Sequence, residues 1–221
     1  MKLLSVKLAR AIWLINLIDL NPRGRNLQAI IPGIIAKYKF RGFPVKPEDF
    51  NLTNGVKLLG GIFQKDSETE INIDLTVFPD GIIADTRSST DDSDQFLDEL
   101  LTLATNELGL VPYNEILRRK SYVSELLVWT DKPLNAINPK LEKIAKLLNS
   151  LIKGHSHHPI AFETVGITFW TDQTVTLPPG PFRFERVSDI PFAENRYFSA
   201  APLQTDAHLE VLTNFEKILS S

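Results

Sequence analysis

Between Glu70 and Phe78, Ile71, Ile73, Leu75 and Val77 alternate with Asn72, Asp74 and Thr76. A period of two puts apolar side chains on one side of a β-strand and polar ones on the other, so this strand belongs to a sheet with one wet face. Pro79-Asp80-Gly81 follows. Proline fixes the backbone and glycine accepts positive φ, which predicts a turn and a returning strand over Ile82 to Thr86. Upstream, Val56 to Gln64 reads as a further strand, joined to Glu70 through the polar linker Lys65 to Thr69. Antiparallel sheets tolerate a solvated face, whereas parallel ones need both faces covered.

Around this meander the pattern changes to 3.6 residues. Phe96, Leu97, Leu100, Leu101, Ala104 and Leu108 share a helical face, preceded by Ser and Asp caps and stopped by Gly109. Asn138-Pro139 opens a second helix with Leu141, Ile144, Leu147, Leu148 and Leu151, ending at Gly154. Thr205-Asp206 opens a third, with Leu209, Leu212, Phe215 and Leu219. Asn26 to Tyr38 also has helical spacing, with Pro32-Gly33 expected to kink it or delay its start.

Further strands are expected at Tyr122 to Thr130, Ile160 to Trp170, Thr174 to Leu177, Phe182 to Val187 and Arg196 to Ala200. Residues Ser5 to Leu20 fit a buried strand, although Leu4, Leu8, Ile12 and Ile15 also match helical spacing. Trp13, Trp129 and Trp170 all lie in apolar runs and are expected in the core. Gly60-Gly61 inside a strand predicts a bulge or a close approach.

Strands outnumber helices without alternating with them, so the expected fold is a single α+β domain over residues 1–221. It has a largely antiparallel sheet and about three main helices. Strand, Thr-Asp cap and helix occur in that order twice, at Ile82 to Leu108 and Arg196 to Leu219. We read this as one capping chemistry used twice, since no repeat period is visible.

The charges are unevenly spread. Residues 1–50 carry nine Lys or Arg against three acids, and the remaining 171 carry 15 against 24. Residues 1–50 therefore form a candidate basic flank able to attract opposite charge. From Arg23 to Lys46 there is no acid, and Arg23, Arg25, Lys37, Lys39 and Arg41 interleave with Tyr38, Phe40 and Phe43. Cations among rings suit an acidic protein surface, or the phosphates and bases of single-stranded nucleic acid. The bland reading is a solvated face above buried aromatics.

The acidic counterpart is Asp85 to Glu99, which has six carboxylates: Asp85, Asp91, Asp92, Asp94, Asp98 and Glu99. They suit a basic partner or a second copy, and several also sit where a helix N-terminus favours negative charge. His155 and His157 form a candidate metal pair, with Glu163 or His208 as a further ligand of a metal-dependent hydrolase. A loop between a helix stop and a proline also tolerates histidines without function.

The sequence carries no phosphate loop, dinucleotide fingerprint, nucleophile elbow or zinc-protease motif. It contains no cysteine, which removes disulfides and thiolate chemistry. The opening Met1-Lys2-Leu3-Leu4 resembles the start of a signal peptide, but Lys7 and Arg10 interrupt it and no cleavage pattern follows. The expectation is a soluble cytoplasmic protein without cofactor or membrane contact. It is read as a non-enzymatic interaction or assembly protein, with nucleic-acid binding through 23–46 as the alternative.

Overall fold

The computed structural model describes residues 1–134, 139–152, 161–174 and 178–220. They fold as α+β in two compact units. The first comprises Val6–Ser124 with Pro202–Thr205, and the second comprises Met1–Ser5, Glu125–Ala201 and Asp206–Ser221.

The first unit is built on β1 (Lys2–Leu14) from Val6 onward, with β2 (Val56–Gln64), β3 (Glu70–Phe78) and β4 (Gly81–Thr86). Their order is β2-β3-β4-β1, followed by β5 (Arg119–Trp129), and the β2–β3, β3–β4 and β4–β1 pairings are antiparallel. The alternation expected of β3 holds, with Ile71, Ile73 and Leu75 buried and Asn72 and Asp74 exposed. Residues 5–20 divide between strand and helix. The extended run stops at Leu14, and Asn16 accepts a hydrogen bond from the Ile18 amide to cap α1 (Leu17–Leu20).

Five α-helices occur among the described residues, where about three main ones are expected. One of the additional two is the short α1. The other is α2 (Leu27–Tyr38), the helix read over Asn26 to Tyr38, which starts before Pro32 and runs through it unbroken. An interior proline costs about 3 kcal/mol of helix stability, and burial of Ile30, Ile31, Ile34 and Tyr38 offsets it. Beside α2 in the core lies α3 (Thr90–Leu108), capped by Ser89 and stopped by Gly109 at φ +66°. Its Phe96 meets the rings of Tyr38 and Phe63 edge-on, with centroids 4.9 and 5.8 Å away.

Both readings of Gly60-Gly61 hold. The β2 register shifts between Leu58 and Gly61, with Gly60 at φ +64°. A Cβ on Gly61 would lie 2.5 Å from the Phe40 ring.

In the second unit β6 (Gly166–Phe169), β7 (Phe182–Arg186) and β8 (Arg196–Ala201) form an antiparallel meander, with β5 next to β8 in the strand order. Phe184 stacks on Tyr197 at 4.6 Å and meets Phe215 of α5 (Thr205–Leu219) at 5.0 Å. Arg186 is almost fully buried. Its guanidinium donates to the Phe192 carbonyl and to Glu163 while lying over the Phe192 and Tyr197 rings. The remaining helix is α4 (Pro139–Ile152). Most of the expected strand Thr174 to Leu177 lies outside the described residues.

The two units repeat one plan. Setting aside the four-residue α1 and the 3-10 turns, in each a long strand leads through a helix to a three-stranded meander and a final helix, as β1-α2-β2-β3-β4-α3 and as β5-α4-β6-β7-β8-α5. The strand orders β2-β3-β4-β1 and β6-β7-β8-β5 correspond position by position. Thr90-Asp91 and Thr205-Asp206 are thus the first two residues of the closing helices, with Ser89 and not Thr90 as the α3 cap.

Candidate interaction surfaces

The carboxylates of the acidic segment are largely engaged within the first unit. Asp85 accepts both hydrogen bonds of a bidentate pair from Arg10, each 2.7 Å, and stands opposite Asp74 across the β3–β4 ladder. Asp92 takes Lys65 at 2.6 Å. Burial alone would raise the Asp92 carboxyl, but hydrogen bonding and charge from Lys65 hold it below its ordinary value. Asp94 accepts from the Trp13 indole at 2.6 Å, from Lys120 at 2.9 Å and from the Tyr122 hydroxyl at 3.2 Å.

Asp98 accepts from the Tyr113 hydroxyl, which burial and this carboxylate push up to about 12. Glu99 meets the Tyr38 hydroxyl at 3.1 Å and Lys37 at 3.6 Å. Asp91, in the first turn of α3, is exposed. The segment is therefore a set of internal ties, and the cations it uses are mostly Arg10, Lys65 and Lys120.

The basic residues behave differently. Among the described residues Arg23, Arg25, Lys39 and Arg41 form no ion pair, and all four are exposed. Arg25 lies against the C-terminus of α3, where a Cβ on Gly109 would sit 2.7 Å from its guanidinium. A cation there favours the negative end of the helix dipole. Lys39 is held at φ +54° as α2 ends. The backbone at Arg41 and Gly42 bonds to Leu59, fixing this stretch to β2.

Of the three aromatics, Tyr38 and Phe40 belong to the core, so only Phe43, 44% exposed, presents a ring. Phe43 and Leu59 line a concavity of about 510 Å³ together with Pro44, Asp49, Asn54 and Lys57.

His155 and His157 lie outside the described residues. Their two suggested co-ligands have other partners, Glu163 pairing with Arg186 at 3.1 Å and His208 meeting the Ser199 hydroxyl at 2.8 Å. His208 is fully buried, which pushes its pKa down to about 4. Among the described residues no group of three or more His, Cys, Asp or Glu is placed to hold a metal ion, and no helix is long and apolar enough to cross a membrane.

The core placement expected of the three tryptophans holds for one of them. Trp129 and Trp170 are 41% and 59% exposed, and only Trp13 is a core residue. The apolar stripe of α4 faces solvent. Leu141, Ile144, Leu147, Leu148 and Leu151 are 42% to 66% exposed. Periodicity identifies which side chains share a helix face and carries no information on whether anything covers it. Neither any family model nor any curated protein matches this chain.

Proposed function

We propose that the chain is a non-enzymatic interaction protein whose basic surface, formed by Arg23, Arg25, Lys39 and Arg41 with the exposed ring of Phe43, receives an acidic protein partner. The observation that carries this reading is the separation of charges within the first unit. Apart from the exposed Asp91, the carboxylates from Asp85 to Glu99 are tied to Arg10, Lys65, Lys120, Trp13, Tyr113 and, through Glu99, Lys37, so Arg23, Arg25, Lys39 and Arg41 receive no ion pair from them. A partner bringing carboxylates would gain long-range attraction and rapid association.

Head-to-tail self-assembly on the acidic segment has less support, because docking would have to displace ties already made. A single-stranded nucleic acid would find phosphate contacts but only one stacking ring, since Tyr38 and Phe40 are buried.

Fluorescence anisotropy with a labelled poly-glutamate peptide and a labelled single-stranded oligonucleotide tests this. The expected result is salt-sensitive binding of the peptide that is lost in the Lys39→Glu/Arg41→Glu variant. Retention of the oligonucleotide alone would favour the nucleic-acid reading, and absence of both would end the proposal.

A further inference from the structure

The repeated plan of the two units makes α2 and α4 topological counterparts, each lying between a long first strand and a three-stranded meander. Their apolar faces meet different fates. On α2, Ile30, Ile31, Ile34 and Tyr38 are all at most 9% exposed. On α4, Leu141, Ile144, Leu147, Leu148 and Leu151 stand at 42%, 56%, 58%, 43% and 66%. Five branched aliphatics on one face of a single amphipathic helix form a contiguous exposed patch, which marks an interaction site in a soluble fold. Their spacing of three and four residues supplies anchors for a helix laid into an apolar groove.

The charges on α4 select the occupant. By composition α4 sums to +2, with Lys140, Lys143 and Lys146 against the single acid Glu142, and Glu142 pairs with Lys146 at 2.7 Å. Two copies of such a helix would bring like charges together. A groove rimmed with carboxylates would instead gain attraction at its polar border and an apolar floor for the aliphatics. A lipid surface would also supply negative charge, but α4 carries no aromatic side chain of the kind that anchors interfacial helices.

We infer that α4 is a docking helix whose apolar face seats in a hydrophobic, acid-rimmed groove of a partner protein. This inference rests on different residues from the basic surface proposed above. Either can fail without the other.

The test uses the full chain and a designed amphipathic helical peptide bearing leucines on one face and glutamates along both borders, with a lysine-bordered version as its control. Anisotropy should show binding of the acidic peptide and little of the basic one. Ile144→Glu/Leu148→Glu should weaken that binding by about tenfold or more, the scale of losing central apolar anchors. Lys143→Glu, which leaves the apolar face intact, should weaken it more modestly. Lys39→Glu/Arg41→Glu should leave it unchanged, separating this site from the basic surface.

Thermal melts of the Ile144→Glu/Leu148→Glu variant should match the parent or exceed it, because exposed aliphatics contribute little to the fold. A clear loss of thermal stability would show that the face is covered within the chain and would overturn the inference. It would also be overturned by equal affinity for the two peptides, by binding of phosphatidylserine vesicles in place of the acidic peptide, or by a concentration-dependent dimer abolished by the same substitutions.

Discussion

The indole N–H of Trp13 donates to Oδ1 of Asp94 at 2.6 Å, while Lys120, itself bonded to Oδ2, lies over the Trp13 ring at 3.9 Å. One carboxylate thus joins β1, α3 and β5 inside the first unit. Negative charge at a helix N-terminus explains an Asp in this region of α3, but not why this one is held by three donors.

Asp94→Ala should cost about 2–3 kcal/mol, because it leaves the fully buried indole N–H of Trp13 without an acceptor. Asp91→Ala, three positions earlier and exposed, should stay within about 0.5 kcal/mol of the parent. Urea unfolding of the two variants checks the contrast, and equal effects would remove the special place given to Asp94.

Removing the cramped approach at Gly61 should also be costly. Gly61→Ala drives a methyl to 2.5 Å from the Phe40 ring, and overpacking of this kind destabilises by about 1–3 kcal/mol. Combining it with Phe40→Leu should recover part of the loss in a double-mutant cycle. Purely additive losses would place the strain elsewhere.

His208 gives stability a pH dependence of definite sign. Burial lowers its folded pKa to about 4, against about 6.5 for an unperturbed imidazole. Between those values the unfolded chain holds a proton at this position that the native state lacks, so stability falls as pH drops from about 6.5 to about 4 and this contribution then stops changing. The loss is roughly 3 kcal/mol at most. His208→Gln should flatten the pH profile of unfolding free energy in that window, and an unchanged slope would exclude His208 as its source.

The three tryptophans should separate optically. Trp13 is fully buried, whereas Trp129 and Trp170 are 41% and 59% exposed. A Trp129→Phe/Trp170→Phe variant should emit at shorter wavelength and resist acrylamide, and the parent should be quenched readily. Efficient quenching of the lone Trp13 would contradict its place in the core.

The strands β2 and β3 and the helix α3 are legible from the sequence because local signals agree there: strict alternation, a Pro-Asp-Gly turn, a serine cap and a glycine stop. The N-terminal run is harder. Ile, Val and Trp favour extension through Leu14, but only the Asn16 side chain reveals where the strand gives way to a helical turn. The charge poles are legible as composition, whereas their use is not. Arg10 finds Asp85 across 75 residues, and Lys65 finds Asp92 across 27, pairings fixed by strand register and chain path. The exposure of α4 is likewise invisible in its own periodicity. So is the repeated plan of the units, which lies in their order of elements, while no repeat period is visible in the sequence.

The placement of β1 next to β4 sets a timetable for the nascent chain. Ala9 pairs with Thr86, and the Thr86 hydroxyl reaches the Ala9 carbonyl across 77 residues. At about 5–20 residues per second, several seconds of translation separate the two strands. Throughout that interval an extended segment containing Val6, Ala9, Ala11 and Trp13 waits without its neighbour. Chaperone engagement of ribosome-bound chains should therefore peak before residue 86 clears the exit tunnel and decline once it has.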